Sequence, residues 1–358
     1  MSGTILVVTH FPSPYQIEFF DQISQQRPGA LAVAYLHRVD KDRQWGSREL
    51  QHRAIFLTDD EGLRQCDDLN ESAALVVYNY YQDRRSLQLM RRRARSGKPW
   101  VFWGERPGFR YDWLGRITRQ FVLRPLHESK SPIWGIGGWA VDAYRREFGN
   151  DRAYVNLPYF SNLDRYTAVS SAPRVDPLLF VFTGSLTHRK GVDLLADAFV
   201  RLAKIHPHVR LRVVGNGDLD TRLREAFASV ASQVELAGFK DWKDAPTAYA
   251  GGHVLCAPSR HDGWALVVPE GLSAGLPVIG TNRTGASLDL IKDGRNGWLV
   301  DAGDASSLFK AMQSAAELSR EQWAAMSEAA RCSVASHSLS AGATRFLDAA
   351  DRAKGGPN

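Results

Sequence analysis

The chain has 358 residues, 44% hydrophobic, 10% aromatic and 23% charged. This globular composition excludes a disordered, collagenous or low-complexity protein, and at roughly 100–200 residues per domain it points to two domains. Net charge is 45 − 39 = +6, with 24 Lys/Arg against 19 Asp/Glu in residues 1–170 and 21 against 20 in 171–358. Cys66, Cys256 and Cys332 show no CxxC spacing, which excludes a disulfide framework or zinc site and suits a reducing cytoplasm. The apolar run Ile5 to Val8 is too short for a signal peptide, and no run approaches the ~18–20 residues of a membrane span, so a soluble, cytoplasmic protein is expected.

Thr4 to Thr9 predicts a first strand, and Tyr15 to Gln26 the helix after it. Leu31 to Leu36, Ala54 to Leu57, Ala74 to Tyr78 and Trp100 to Trp103 predict further strands in the βαβ rhythm of a parallel sheet. From Arg84 to Arg124 twelve basic residues stand against only Glu105 and Asp112. That stretch reads either as a solvated basic helix face, with Arg91-Arg92-Arg93 mostly exposed, or as a surface for acidic partners. From about Leu157 to Pro177 the rhythm fails, and Pro158, Pro173 and Pro177 frame a polar linker.

A second series of strands is predicted at Leu178 to Thr183, Val209 to Val214, Val234 to Leu236, His253 to Ala257 and Pro277 to Ile279. Val192, Leu195, Ala196, Phe199 and Leu202 recur at helical spacing and predict a helix packed on that sheet. The stretch from Glu321 is alanine-rich and strand-free. The expected organisation is therefore a domain at 1–160, a linker at 161–177, a second domain at 178–335 and a helical segment at 336–358 that returns to the first domain. Both domains read as Rossmann-like, doubly wound α/β sheets facing across a cleft, with the ligand crevice at the carboxyl ends of the strands.

No GxGxxG follows a strand, so a nicotinamide or flavin site has no support. The loop Gly184 to Gly191 (GSLTHRKG) ends in Lys190-Gly191-Val192, where a Walker A loop needs Gly-Lys-Ser/Thr. Ser185, Arg189 and Lys190 nevertheless lie between a strand and a helix N-terminus, so the first-turn N–H groups and two cations can face one diphosphate. Standing alone, this loop suits a basic surface turn equally well. Gly215-Asn216-Gly217 is a tight turn, and Asp218-Leu219-Asp220 reads as a helix cap rather than a metal site.

Ser259 to Gly280 adds a glycine turn at Gly263 and two carboxylates eight positions apart, Asp262 and Glu270. Pro269 suits helix position N1 and Gly275 position C′, which puts Glu270 in the first turn of a short helix. A carboxylate there can accept two hydrogen bonds from the vicinal diol of a ribose, and Asp262 can hold a second polyol. The plainer readings are a Glu that satisfies its own helix N-terminus and an Asp that makes a turn. His10 and Glu105 stand just past predicted strands, where each either faces the crevice or is structural.

Taken in order, Gly184 to Gly191, Val213-Val214-Gly215-Asn216-Gly217, Pro258-Ser259, the Asp262/Glu270 pair with Gly275 to Ile279, and Asp293 to Val300 resemble the motif series of family-4 (group 1) glycosyltransferases, retaining enzymes of GT-B fold. His10 to Tyr15 carries a looser likeness. The resemblance implies that Glu270 binds the donor's ribose, and that Asp262 with Gly263, Trp264, Ala265 and Leu266 meets the transferred sugar and its phosphate. It also implies that Lys190 and Arg189, beside Gly184, Ser185, Gly215, Asn216 and Gly217, neutralise the leaving diphosphate. Three positions depart from the family pattern. Asp262 replaces a Glu, Ser185 replaces an Arg, and Val76 to Tyr81 lacks a histidine.

The implied function is metal-independent, retaining transfer of a sugar from a nucleotide-diphosphate donor. No cofactor is implied beyond that co-substrate. The acceptor would be a glycan or a polyprenyl-diphosphate-linked molecule, in cell-surface polysaccharide biosynthesis. A nucleotide-sugar epimerase of the same architecture and a non-catalytic sugar-nucleotide-binding protein are the rival readings. A lipid-linked acceptor would hold the protein peripherally on the inner face of the membrane through Arg84 to Arg124, with Trp100, Phe102, Trp103, Phe109, Tyr111 and Trp113 in the same stretch as interfacial contacts, although Trp100 to Trp103 read more readily as a buried strand. No nucleic-acid partner is expected.

Overall fold

The computed structural model describes residues 3–39, 49–108, 113–169 and 176–355. The chain divides into two compact units, Met1–Ser161 with Leu339–Asn358, and Asn162–Ser338. Phe109 and Tyr111 lie outside the described residues, as do Pro173 and the side chain of Trp113.

The first unit holds seven strands: β1 (Ile5–Thr9), β2 (Leu31–Tyr35), β3 (Arg53–Phe56), β4 (Leu75–Tyr78), β5 (Trp100–Gly104), β6 (Ile133–Gly135) and β7 (Tyr154–Asn156). They pair in parallel in the order β3-β2-β1-β4-β5-β6-β7. β1, β2, β4 and β5 are buried along their whole length, which is why they read in sequence as unbroken apolar runs and not as alternating ones. The order reverses between β1 and β4, so the carboxyl ends of those two strands form the switch point where doubly wound sheets bind ligands.

The basic stretch is less exposed than the sequence predicts. Arg93, on the helix Arg84–Arg95, is only 1% exposed. Its guanidinium donates to the carbonyls of Asn70 (2.8 Å), Glu71 (3.2 Å), Ala73 (2.7 Å) and Pro99 (3.1 and 3.0 Å), tying three chain segments together. Arg92 pairs with Asp67 and Glu71, and Arg85 with Asp67. Trp100, Phe102 and Trp103 are buried in β5.

The helix Leu339–Lys354 completes the first unit. Phe346 packs edge-on among Phe19, Trp103 and Trp134, and Asp351 accepts two hydrogen bonds from Arg27, both at 2.8 Å.

The second unit holds β8 (Leu178–Thr183), β9 (Val209–Val214), β10 (Val234–Gly238), β11 (Val254–Ala257), β12 (Val278–Thr281) and β13 (Gly297–Val300), parallel in the order β10-β9-β8-β11-β12-β13. The apolar stripe of the helix Val192–Ile205 packs on Phe180, Leu211 and Val213 in one core. β13 emerges from the Asp293 to Val300 turn. There buried Asn296 donates to Leu290 O (2.9 Å) and accepts from Lys292 N–H (2.7 Å).

The stretch 161–177, expected as a linker, includes the helix Asp164–Ala168, which belongs to this unit. Buried Tyr166 meets Tyr249 edge-on at 5.2 Å, and Thr167 and Ser273 hydroxyls bond at 2.9 Å. The switch point here lies between β8 and β11. No helix among the described residues is long and apolar enough to cross a membrane.

Candidate functional site

The loops that leave β8, β9 and β11 at their carboxyl ends are locked together by backbone contacts. Gly184 N–H donates to Val214 O (3.0 Å), Leu186 N–H to Asn216 O (2.8 Å), and Arg260 N–H to Arg189 O (2.9 Å). The close approaches require glycine: a Cβ on Gly215 would stand 1.9 Å from Gly184 O, and one on Gly191 2.0 Å from Pro258 O. Gly191 also has φ +70° and is the entry residue of the helix Val192–Ile205. Ser185, Asn216 and Gly217 lie exposed on the same rim.

This frame brings Arg189 and Lys190 onto a single carboxylate oxygen. Lys190 Nζ donates to Asp262 Oδ2 at 2.6 Å and Arg189 at 3.1 Å, with a second Arg189 bond to His261 O (3.2 Å). Burial raises the Asp262 carboxyl, but Lys190 and then Arg189 more than offset it, so the group is held below the usual carboxylate range and stays ionised. Two cations against one carboxylate leave a net positive charge at the mouth of the switch point. Asp262 itself is fixed by backbone, with its N–H donating to Arg283 O (3.1 Å) and its carbonyl accepting from Gly285 (3.2 Å).

After Asp262 the chain passes through Gly263 and Trp264 to Ala265, which has φ +69°, a conformation that costs an L-residue about 1–2 kcal/mol. The bond from Ala286 N–H to Trp264 O (2.8 Å) and that from Val268 N–H to Ala265 O (3.1 Å) hold it there. The helix that follows is Val267–Ser273, so it starts two residues earlier than expected. Pro269 is its third residue, not its first, and Leu266 is the entry residue.

Glu270 still lies near the start of that helix. Its Oε2 accepts from Tyr249 at 2.8 Å, and Tyr166 donates to the same carboxylate. Burial pushes the Glu270 carboxyl up, and the two phenols only partly counter this. The charges of Arg165 and, less, Lys190 act in the same direction as the phenols.

Around Lys190, Arg189, Asp262 and Glu270, which the sequence singles out, the structure adds four supporting side chains that it does not. Tyr166 and Tyr249 orient Glu270. Arg260 makes a bidentate bond to Asp193 (2.7 and 2.8 Å) and donates to His188 O (2.7 Å), bracing the Arg189–Lys190 turn. These partners are long-range pairs of ordinary residues, which no local motif marks.

Asp220 of the DxD string sits in the first turn of the helix Asp220–Ala226 and pairs with Arg224 at 3.0 Å. Among the described residues no group of three or more His, Cys, Asp or Glu is placed to hold a metal. His10 and Glu105 belong to the first unit. His10 stands at the end of β1 in a ring cluster, and Glu105 is exposed after β5, its carbonyl accepting from the buried Tyr144 hydroxyl.

Comparison with solved structures places this architecture. Anabaena Alr3699/HepE in complex with UDP superposes with TM-score 0.77 at 14% identity, over 98% of this chain and 100% of that one. WaaG, a glycosyltransferase involved in lipopolysaccharide biosynthesis, superposes with TM-score 0.69 at 16% identity, over 97% and 99%. The fold is the two-domain α/β GT-B fold of glycosyltransferases. Residues 177–317 match the family model described as Glycosyl transferases group 1, and the second unit is a group 1 glycosyltransferase domain.

Among sequence relatives, a phosphatidyl-myo-inositol mannosyltransferase of Mycobacterium leprae (strain TN) is 31% identical over 200 residues, 54% of this chain and 52% of that protein. The putative colanic acid biosynthesis glycosyltransferase WcaL of Escherichia coli (strain K12) is 26% identical over 163 residues, 43% and 40% respectively. The chain spans about half the length of the curated relatives it matches.

Proposed function

We propose that the protein is a retaining, metal-independent glycosyltransferase that moves a sugar from a nucleotide-diphosphate donor to a glycan or polyprenyl-diphosphate-linked acceptor in cell-surface polysaccharide biosynthesis. The observation that carries this reading is the convergence of Lys190 and Arg189 on Asp262 at the switch point of a group 1 domain. When the bond from the anomeric carbon to the diphosphate breaks, its electron pair leaves with the phosphate. Fixed cations stabilise that growing charge without reorganisation. Glu270, oriented by Tyr249 and Tyr166, accepts from the ribose diol, and Asp262 with the Gly263 to Leu266 backbone meets the sugar. The likeness to structures solved with UDP and UDP-glucose, and to a mannosyltransferase, supports a nucleotide-sugar donor.

The same reading puts the protein in the cytoplasm, at the inner face of the membrane. Its support is a cavity of about 450 Å³ in the first unit, lined by Arg91, Arg95 and Phe121, which is 69% exposed, and by Arg124, whose charge is paired with Glu128 of the same lining at 2.6 Å. Arg91/Arg95→Ala is the fitting test in vesicle co-sedimentation, because Arg93 is a structural clamp.

The function is tested by incubating the chain with UDP-, GDP- and ADP-sugars, with and without an extract of polyprenyl-linked glycans. The readouts are nucleoside diphosphate release and the anomeric configuration of the product by NMR. Release that depends on acceptor, with the donor's anomeric configuration kept, is expected. Conversion of the donor sugar without acceptor means an epimerase, and an inverted product refutes retention.

A further inference from the structure

The switch point of the first unit is lined by rings where that of the second is lined by charges. β1 runs into His10 and Phe11, β4 into Asn79 and Tyr80, and His37 lies just past β2. The ends of β1 and β2 stay paired beyond the strands, since Leu36 N–H donates to Thr9 O (3.0 Å) and His37 N–H to His10 O (2.9 Å). This pairing fixes the spacing of the side chains that follow. His10 lies face to face on Tyr80, with centroids 4.3 Å apart and planes 13° apart. It meets Phe11 and His37 edge-on, each at 5.0 Å. His10, Phe11 and Tyr80 are half-buried and His37 is exposed, so the cluster reaches solvent.

The floor under the cluster is rigid. Asn79 accepts from Thr9 Oγ1 (2.9 Å) and Gln16 Nε2 (3.1 Å) and donates to Trp103 O (2.9 Å). An apolar cluster serving stability alone belongs in the core, where β1 and β4 already pack through Leu6, Val8, Val76 and Tyr78. These rings instead stand outside that core, at the carboxyl ends where an open parallel sheet receives ligands. Aromatic faces are electron-rich and pair with the weakly positive C–H groups of one face of a sugar ring, leaving its rim of hydroxyls for polar partners.

We propose that His10, Phe11, His37 and Tyr80 form a stacking platform for a pyranose ring, and that the acceptor therefore presents a hexose at this unit. The word acceptor rests on the transferase reading; binding of a sugar ring here does not. His10 acts in this arrangement as a positioning ring and not as a proton carrier.

The test is saturation-transfer NMR and titration of the full chain with methyl glucoside, galactoside, mannoside and N-acetylglucosaminide, alongside uridine and UDP. At least one methyl glycoside is expected to bind, with saturation concentrated on the C–H protons of one ring face. Tyr80→Ala should weaken it about tenfold, the scale of one lost ring stack, while His10→Phe and Tyr80→Phe hold it within about threefold. UDP affinity should stay the same in all three variants, which also shows that they fold.

UDP binding without any glycoside binding overturns the platform and leaves the donor reading standing. Glycoside binding without nucleotide binding does the reverse. Uridine that competes with the glycoside at Tyr80 overturns the assignment to a sugar ring. Loss in His10→Phe as large as in Tyr80→Ala overturns the positioning role of His10.

Discussion

Asp262→Asn is expected to tighten nucleoside diphosphate binding while lowering sugar transfer. The carboxylate occupies the same Lys190 and Arg189 groups that a diphosphate would use, at 2.6 and 3.1 Å. A phosphate oxygen on Lys190 would stand about 5 Å from the carboxylate, and at an effective dielectric near 20 that repulsion is about 3 kcal/mol. Arg189 is 50% exposed, so screening by solvent and salt brings it to about 1–2 kcal/mol. Lys190 loses its tether in the variant, and re-ordering it on binding costs about 0.5–1 kcal/mol.

The net expectation for Asp262→Asn is about 1 kcal/mol, roughly fivefold tighter binding. Isothermal titration with UDP and GDP at low salt and pH 7.5 measures it, and the gain should shrink at high salt. Although burial raises it, the Asp262 carboxyl is held below the usual range by the two cations. The stability of the ion pair is therefore present above the ordinary carboxylate pKa and is lost only as pH falls through the depressed one. Wild-type protein should not mimic the variant at neutral or mildly acidic pH. Unchanged or weaker nucleotide binding in a variant with native thermal unfolding would show that the carboxylate does not compete with the diphosphate.

Lys190→Ala should cut kcat about 100-fold with a smaller change in donor KM, because the leaving charge grows in the transition state; a raised KM with kcat intact in steady-state assays would mean uniform binding instead. Glu270→Gln should keep or raise the thermal midpoint at pH 7.5, since a carboxyl whose folded pKa is raised loses stability as pH climbs from its unfolded to its folded value; a clear drop in scanning calorimetry would contradict this. Arg93→Ala should destabilise the first unit by about 3–5 kcal/mol, as it strips five hydrogen bonds from four backbone carbonyls, those of Asn70 and Ala73 buried; a loss under about 1 kcal/mol in urea unfolding would refute the clamp.

The strand series and the glycine-marked loops after β8 and β9 are legible because they depend on local pattern. Ile5 to Thr9 and Leu178 to Thr183 are apolar along their whole length, and the glycines at 184, 191 and 215 mark places where backbones touch. β6 and β7 are not legible because three residues each are too few to show a period. The helix Asp164–Ala168 hid in a stretch that reads as linker, since its role comes from Tyr166 meeting residues more than eighty positions away. The burial of Arg93 is hidden for the same reason. Within a basic run nothing local separates the arginine that turns inward to carbonyls from the neighbours that face solvent.

In the proposed function the second unit binds a nucleoside diphosphate through Lys190 and Glu270. Calorimetric titration of the full chain with UDP, GDP and ADP, repeated on Glu270→Ala, tests it most directly. One of the three should bind at a single site, and the substitution should weaken it at least about tenfold, the loss of charge-assisted bonds to a ribose diol. Affinity unchanged in a folded Glu270→Ala protein, or no binding of any of the three at millimolar concentration, would contradict it.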